Sequence, residues 1–128
     1  MKSATADYFA KARRSLDGAR AIADAGVAEV AAREAYLAAY HAAEGYIFEH
    51  TGKAAKTHRG VRVQLNRLAQ SEPRIDRALL AFLAAGYQYK TIADYEVGPV
   101  SEMISIAEAR AAIDTAARFV DILAGLLP

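Results

Sequence analysis

Ala28-Glu-Val-Ala-Ala-Arg33-Glu-Ala-Tyr36-Leu-Ala-Ala-Tyr40-His41-Ala-Ala-Glu44-Gly-Tyr46-Ile-Phe48-Glu-His50 is the stretch whose reading decides the fold. It contains no proline and is dominated by alanine, the strongest helix former. Tyr36 and Tyr40 stand at i and i+4, and His41 lies at helical spacing from Leu37 and Phe48, so neighbours along one helical face repeat. Gly52 follows, a residue suited to the left-handed conformation just past a helix end. The stretch therefore predicts a helix from Val27 or Ala28 to His50, the richest in aromatics of the whole chain.

Helical signals continue on both sides. Upstream, Tyr8, Ala12, Ser15/Leu16, Ala19 and Ile22/Ala23 form an apolar stripe over about Thr5 to Ala25, and Gly26 supplies a stop. Downstream, Thr57 suits the N-cap of a shorter helix whose Val61, Leu65 and Leu68 share a face. Pro73 ends that segment or opens the next, because it lacks an amide hydrogen. Arg74 to about Tyr89 reads as helix, with Ile75, Leu79, Phe82 or Leu83, and Gly86 on one side. Val97-Gly-Pro-Val100 reads as a break. Ser105-Ile-Ala-Glu108 then matches a capping box ahead of Ile113, Ala116/Ala117, Val120 and Leu123/Leu127. No stretch alternates with period two for long enough to make a strand. The expectation is an all-α, antiparallel four- to five-helix bundle with short loops, forming one domain over residues 1–128.

Composition narrows the chemistry. The 54% hydrophobic content is inflated by alanine, which builds helices but buries little area. With no cysteine, disulfides, thiolate zinc sites and cysteine nucleophiles are excluded. The amino terminus lacks the apolar core of a signal peptide, and the longest apolar run, Ala78 to Tyr87, is too short to cross a bilayer. A cytoplasmic protein without a membrane partner is the expectation. Net charge is +1, but residues 53–77 carry seven Lys/Arg against two Asp/Glu, between two acidic flanks. That basic segment is either a phosphate-facing patch or the electrostatic complement of the acidic helices beside it.

Tyr87-Gln-Tyr-Lys90-Thr-Ile-Ala-Asp94-Tyr95-Glu96 places a cation, two acids and three phenols within ten residues. On a helix Lys90 and Asp94 share a face, with Tyr87 one turn before Lys90. This is either a surface ion pair closing a helix or a polar site. Other chemistries fail on spacing. Gly52-Lys53 is no phosphate loop, since Ala54 stands where a hydroxyl would hold magnesium and no strand precedes it. His41-Ala-Ala-Glu44 runs opposite to the Glu-x-x-His of a di-metal bundle, so no metal and no cofactor are expected. His41 is either a half-buried histidine bonded to a neighbouring helix or a polar group lining a cleft with Tyr36, Tyr40 and Glu44. His58 is either a solvated cap residue or a phosphate contact at a helix N-terminus. His50 suits the negative end of its helix and requires no further role.

Three segments together, Arg33-Glu-Ala-Tyr36-Leu-Ala-Ala-Tyr40-His41-Ala-Ala-Glu44, Lys56-Thr-His58-Arg-Gly-Val61 and Tyr89-Lys90-x-x-Ala93-Asp94-Tyr95, resemble the HEPN superfamily, specifically its small prokaryotic branch. The resemblance covers about residues 8 to 125. It implies a helical bundle, usually a homodimer, often encoded beside a minimal nucleotidyltransferase in toxin–antitoxin pairs. Active relatives are metal-independent ribonucleases in which four to six residues separate an arginine from a histidine. In this branch an arginine commonly stands five residues before the tyrosine of Ala-Asp-Tyr.

Here that position is Lys90, and Tyr95 stands where the nuclease histidine would fall. Tyrosine, with a pKa of about 10, moves a 2′-hydroxyl proton poorly near neutrality, and lysine lacks the bidentate fork of arginine. The resemblance makes Lys90, Asp94, Tyr95 and His41 the candidate catalytic residues. Tyr40, Glu44, Lys56, His58, Arg59 and Arg62 are the candidate nucleotide- or RNA-binding residues. In some relatives the partner transfers a nucleotide onto a tyrosine near the motif, and Tyr95 is the analogous position. The expected function is a binding or regulatory protein with weak or no nuclease activity. The alternatives are an active ribonuclease toxin using His41 or His58 for proton transfer, and a dimeric helical scaffold.

Overall fold

A computed structural model describes residues 1–95 and 103–128, and among these residues five helices form and no strand does. They are α1 (Ser3–Asp24), α2 (Ala28–Thr51), α3 (His58–Ala69), α4 (Arg77–Tyr95) and α5 (Ile106–Gly125). The expected break at Val97-Gly-Pro-Val100, together with Glu96, lies outside the described residues.

The ends of the helices follow local chemistry. Gly26 (φ 85°) and Gly52 (φ 71°) adopt the left-handed conformation after α1 and α2, which side chains with a Cβ resist. Thr57 caps α3 by accepting from Gly60 N–H at 2.9 Å. The α4 bounds differ from those expected. The helix begins at Arg77 rather than Arg74, because Asp76 Oδ1 accepts from Leu79 N–H at 3.0 Å and so caps it. It also runs past Tyr89 to Tyr95, its last turn closed by a 2.9 Å bond from Lys90 Nζ to Asp94 Oδ2. Ser105 caps α5 through Glu108 N–H at 3.0 Å, but only half of the capping box forms. The Glu108 carboxylate instead accepts from the Tyr89 hydroxyl of α4 at 3.3 Å.

Each of the other four helices packs on α2, which buries residues on all sides rather than along one stripe. Its alanines at 31, 32, 35, 38, 39, 42 and 43 are fully buried, and small side chains let neighbouring axes approach closely. Gly45 marks a close approach of α1, since an added Cβ would lie 3.0 Å from both the Phe9 ring and Tyr8 Cβ. Contacts between ends set the directions. Lys2 N–H donates to Glu49 at the far end of α2, and Arg110 of α5 meets Asp24 at the end of α1. Arg33 meets Asp94, Tyr36 meets Gly86, and Asp76 meets Arg118, so α2/α4 and α4/α5 are likewise antiparallel. No helix among the described residues is long and apolar enough to cross a membrane.

Candidate functional site

Three helices bring their polar and aromatic side chains to one face. Helix α2 contributes Tyr36, Tyr40, His41 and Glu44, α3 contributes His58, Arg59 and Arg62, and α4 contributes Tyr87 and Lys90. The capped start of α3 fixes His58 as its first residue, and Arg62 follows one turn later. Gly86 allows the α2 ring in, because a Cβ there would lie 2.7 Å from Tyr36 Cδ1.

His58 is the centre of the arrangement. Its ring stacks on Tyr40 at a centroid distance of 4.3 Å and 22°, and Tyr87 covers it at 4.9 Å. The Tyr36 hydroxyl lies 2.6 Å from His58 Nδ1. Tyr36 is fully buried, so its O–H must find an acceptor inside the protein, and His58 Nδ1 is its hydrogen-bond partner among the described residues. We therefore assign the proton of this bond to Tyr36 and the imidazole hydrogen to Nε2. Burial raises the Tyr36 phenol far above its ordinary range, and burial followed by the Glu44 charge pushes Tyr40 up to about 12. Both phenols stay protonated at neutral pH.

Burial, and then the positive charge of Lys90, hold His58 below its ordinary value of 6.5. The unfolded chain then binds more protons than the folded one at mildly acidic pH, so stability rises with pH there. Stability should fall as pH drops through about 6.5 and level off, for this group, below the folded-state value. Chemical denaturation at stepped pH, compared with His58→Gln, isolates the effect; an unchanged difference between the two proteins across that window would contradict it.

Beside His58 opens a cleft of about 450 Å³ lined by Lys56, Thr57, His58, Arg59, Arg62 and Tyr87. None of Lys56, Arg59 and Arg62 takes part in an ion pair among the described residues. No carboxylate lines the cleft, so Lys56, Arg59 and Arg62, three of the seven cations of the basic segment, present their charge there. Guanidinium groups, an ammonium and an Nε2 hydrogen surround an exposed aromatic ring. Such a set can hold phosphate oxygens and stack a planar group.

The remaining candidates sit outside that lining. His41 Nδ1 lies 2.7 Å from Glu44 Oε1 with both side chains half-buried. A carboxylate only accepts, so Nδ1 donates, and in the neutral imidazole Nε2 is left as an acceptor. Tyr40, under the His58 ring, meets His41 edge-on at 5.7 Å. Lys90 and Asp94 are paired near the end of α4, and Asp94 Oδ1 also accepts from Arg33 Nε of α2 at 2.7 Å. Arg33 in turn donates to Glu34 at 2.9 Å. The Lys90 hydrogen bond, and then Arg33, hold the Asp94 carboxyl low, while Asp94 holds the Lys90 ammonium high. Lys90 Nζ lies 5.4 Å from the centre of the Tyr95 ring, which is 68% exposed.

Arg33 joins the site without having been singled out by the sequence, while Tyr36 and Tyr87, named there only as neighbours of His41 and Lys90, prove to be the partners of His58. Arg33 and Tyr36 stand inside the motif that carried the resemblance, and Tyr87 stands one turn before Lys90. Their partners lie 61, 22 and 29 positions away, beyond the reach of any spacing rule.

The family model described as HEPN domain matches residues 5–126. The crystal structure of TT1696 from Thermus thermophilus matches with a TM-score of 0.82 at 21% sequence identity. The match covers 98% of this chain and 100% of that one, a likeness of fold. No curated protein matches.

Proposed function

From the premise that this chain belongs to the HEPN domain family, we propose that it binds single-stranded RNA or nucleotide through the basic cleft and cleaves RNA weakly or not at all. The observation that carries this reading is the opposed state of two histidines. His58, in the cleft, has its Nδ1 occupied by Tyr36 and presents a donor. His41, whose Nε2 is the acceptor in the neutral imidazole, does not line the cleft. A metal-independent ribonuclease needs an acceptor near the 2′-hydroxyl, and the cleft offers a donor instead. Tyr95 supplies no substitute, since a phenol is a poor base near neutrality.

We read the chain as the HEPN member of a toxin–antitoxin or nucleotidyltransferase-associated pair, acting as a homodimer. Family membership supports this part of the proposal. Tyr95, exposed beside Lys90, is the accessible phenol a partner nucleotidyltransferase would find.

Incubating the pure protein with a labelled single-stranded RNA, with and without EDTA, tests the proposal. The RNA should be retained intact, with an affinity that falls as salt rises with a logarithmic slope of about −2, as expected for roughly three phosphate contacts. Cleavage persisting in EDTA and abolished by Lys90→Ala would establish the ribonuclease reading in its place.

A further inference from the structure

We propose that Asp94 is an internal competitor for anions: its carboxylate occupies a phosphate subsite formed by Arg33 and Lys90, and keeps both cations from ligand until it is displaced. This role rests on the phosphate-binding reading of the neighbouring cleft and extends it by one subsite.

The two Asp94 oxygens are used separately, Oδ1 by Arg33 Nε at 2.7 Å and Oδ2 by Lys90 Nζ at 2.9 Å. A guanidinium from one helix and an ammonium from another, converging on two oxygens of one anion, is the arrangement that also grips a phosphate. Asp94 and Glu34 together balance the two cations, so the end of α4 presents little net charge while the latch is closed. The side chains of Arg33, Lys90 and Asp94 remain 28%, 21% and 24% exposed, so an anion can reach them. Lys90 stands one turn after the cleft residue Tyr87 on α4, and Arg33 stands one turn before Tyr36, the partner of His58, on α2. A chain whose phosphates lie along Lys56, Arg59 and Arg62 therefore has a further pair of cations within reach, held by a carboxylate. A partly exposed ion pair of this kind contributes little stability, which makes its exchange for a phosphate feasible.

Asp94→Asn leaves the side-chain shape and one acceptor oxygen but removes the competing charge. We expect it to bind single-stranded RNA about 5- to 10-fold more tightly than wild type. Its salt dependence should steepen by the one or two phosphates that Arg33 and Lys90 would engage. Adding Lys90→Ala to Asp94→Asn should cancel most of the gain. In the wild-type background Lys90→Ala should weaken RNA binding by less than Arg59→Ala does, because the ligand must first displace Asp94 to reach the ammonium; this readout holds even if Asp94→Asn folds poorly. Inorganic pyrophosphate serves as an independent probe. Its binding by Asp94→Asn but not by wild type would uphold the subsite even if neither protein bound RNA, in which case only the cleft reading would fail. A folded Asp94→Asn protein that binds RNA and pyrophosphate no better than wild type would overturn the latch and leave Asp94 a strap between α2 and α4. So would a wild-type Lys90→Ala loss as large as that of Arg59→Ala.

Discussion

Tyr36→Ala is expected to lower the free energy of unfolding by about 3–5 kcal/mol, the cost of emptying a large aromatic site in a core. Tyr36 is completely buried and touches every element of the site: Tyr40 of its own helix, His58 of α3, and Tyr87 and Gly86 of α4. Removing the ring leaves a void beneath two helices. It also strips His58 Nδ1 of its donor, and a half-buried acceptor without a partner carries its own penalty. Domains of this size are stable by only about 5–15 kcal/mol, so the variant would lose about a fifth of its stability or more. Urea denaturation followed by far-ultraviolet circular dichroism reads the change directly. A loss below about 1 kcal/mol would mean that α3 and α4 close over the gap, and that Tyr36 is not the post on which the site is built.

The double charge reversal Arg59→Glu/Arg62→Glu is expected to weaken RNA binding by about 100-fold or more. Hydrogen bonds to charged groups contribute about 1.5–3 kcal/mol each, and two of them would be replaced by repulsion. Both residues line the cleft, and neither is held in an ion pair among the described residues, so stability should change little. Arg20→Glu on α1, outside the cleft lining, is the control for a general loss of positive charge. Fluorescence anisotropy with one labelled RNA at one salt concentration suffices. If Arg20→Glu costs as much as the cleft reversal, attraction is diffuse and the cleft has no special role.

The helices were legible because their signals are local. Helical spacing of apolar residues, Gly26 and Gly52 past helix ends, and Thr57 and Ser105 at helix starts act within a few residues. The α4 errors have the same explanation in reverse. Asp76, three residues past Pro73, begins the helix by accepting from Leu79 N–H. Helix propensity alone gave no reason to carry α4 from Tyr89 through to Tyr95, whose last turn is held by charge pairs, one of them from another helix. Among the candidate site residues, Tyr40, His58, Arg59 and Arg62 meet around one feature because α2 and α3 are joined by a short connection. Lys90 and Asp94 were legible as an i, i+4 pair, but Arg33, which changes the meaning of that pair, was not.

By itself the sequence determined that this chain would be helical, free of cysteine chemistry, and basic in its middle third. Those properties belong to residue types and to neighbours along the chain. Only the tertiary structure decided which histidine faces the cleft, which nitrogen of each is occupied, and that Lys90 is latched rather than free. Such outcomes depend on hydrogen-bond partners supplied by other helices. Their identity follows from how α3 and α4 pack on the alanine-lined surface of α2, where no local pattern records them.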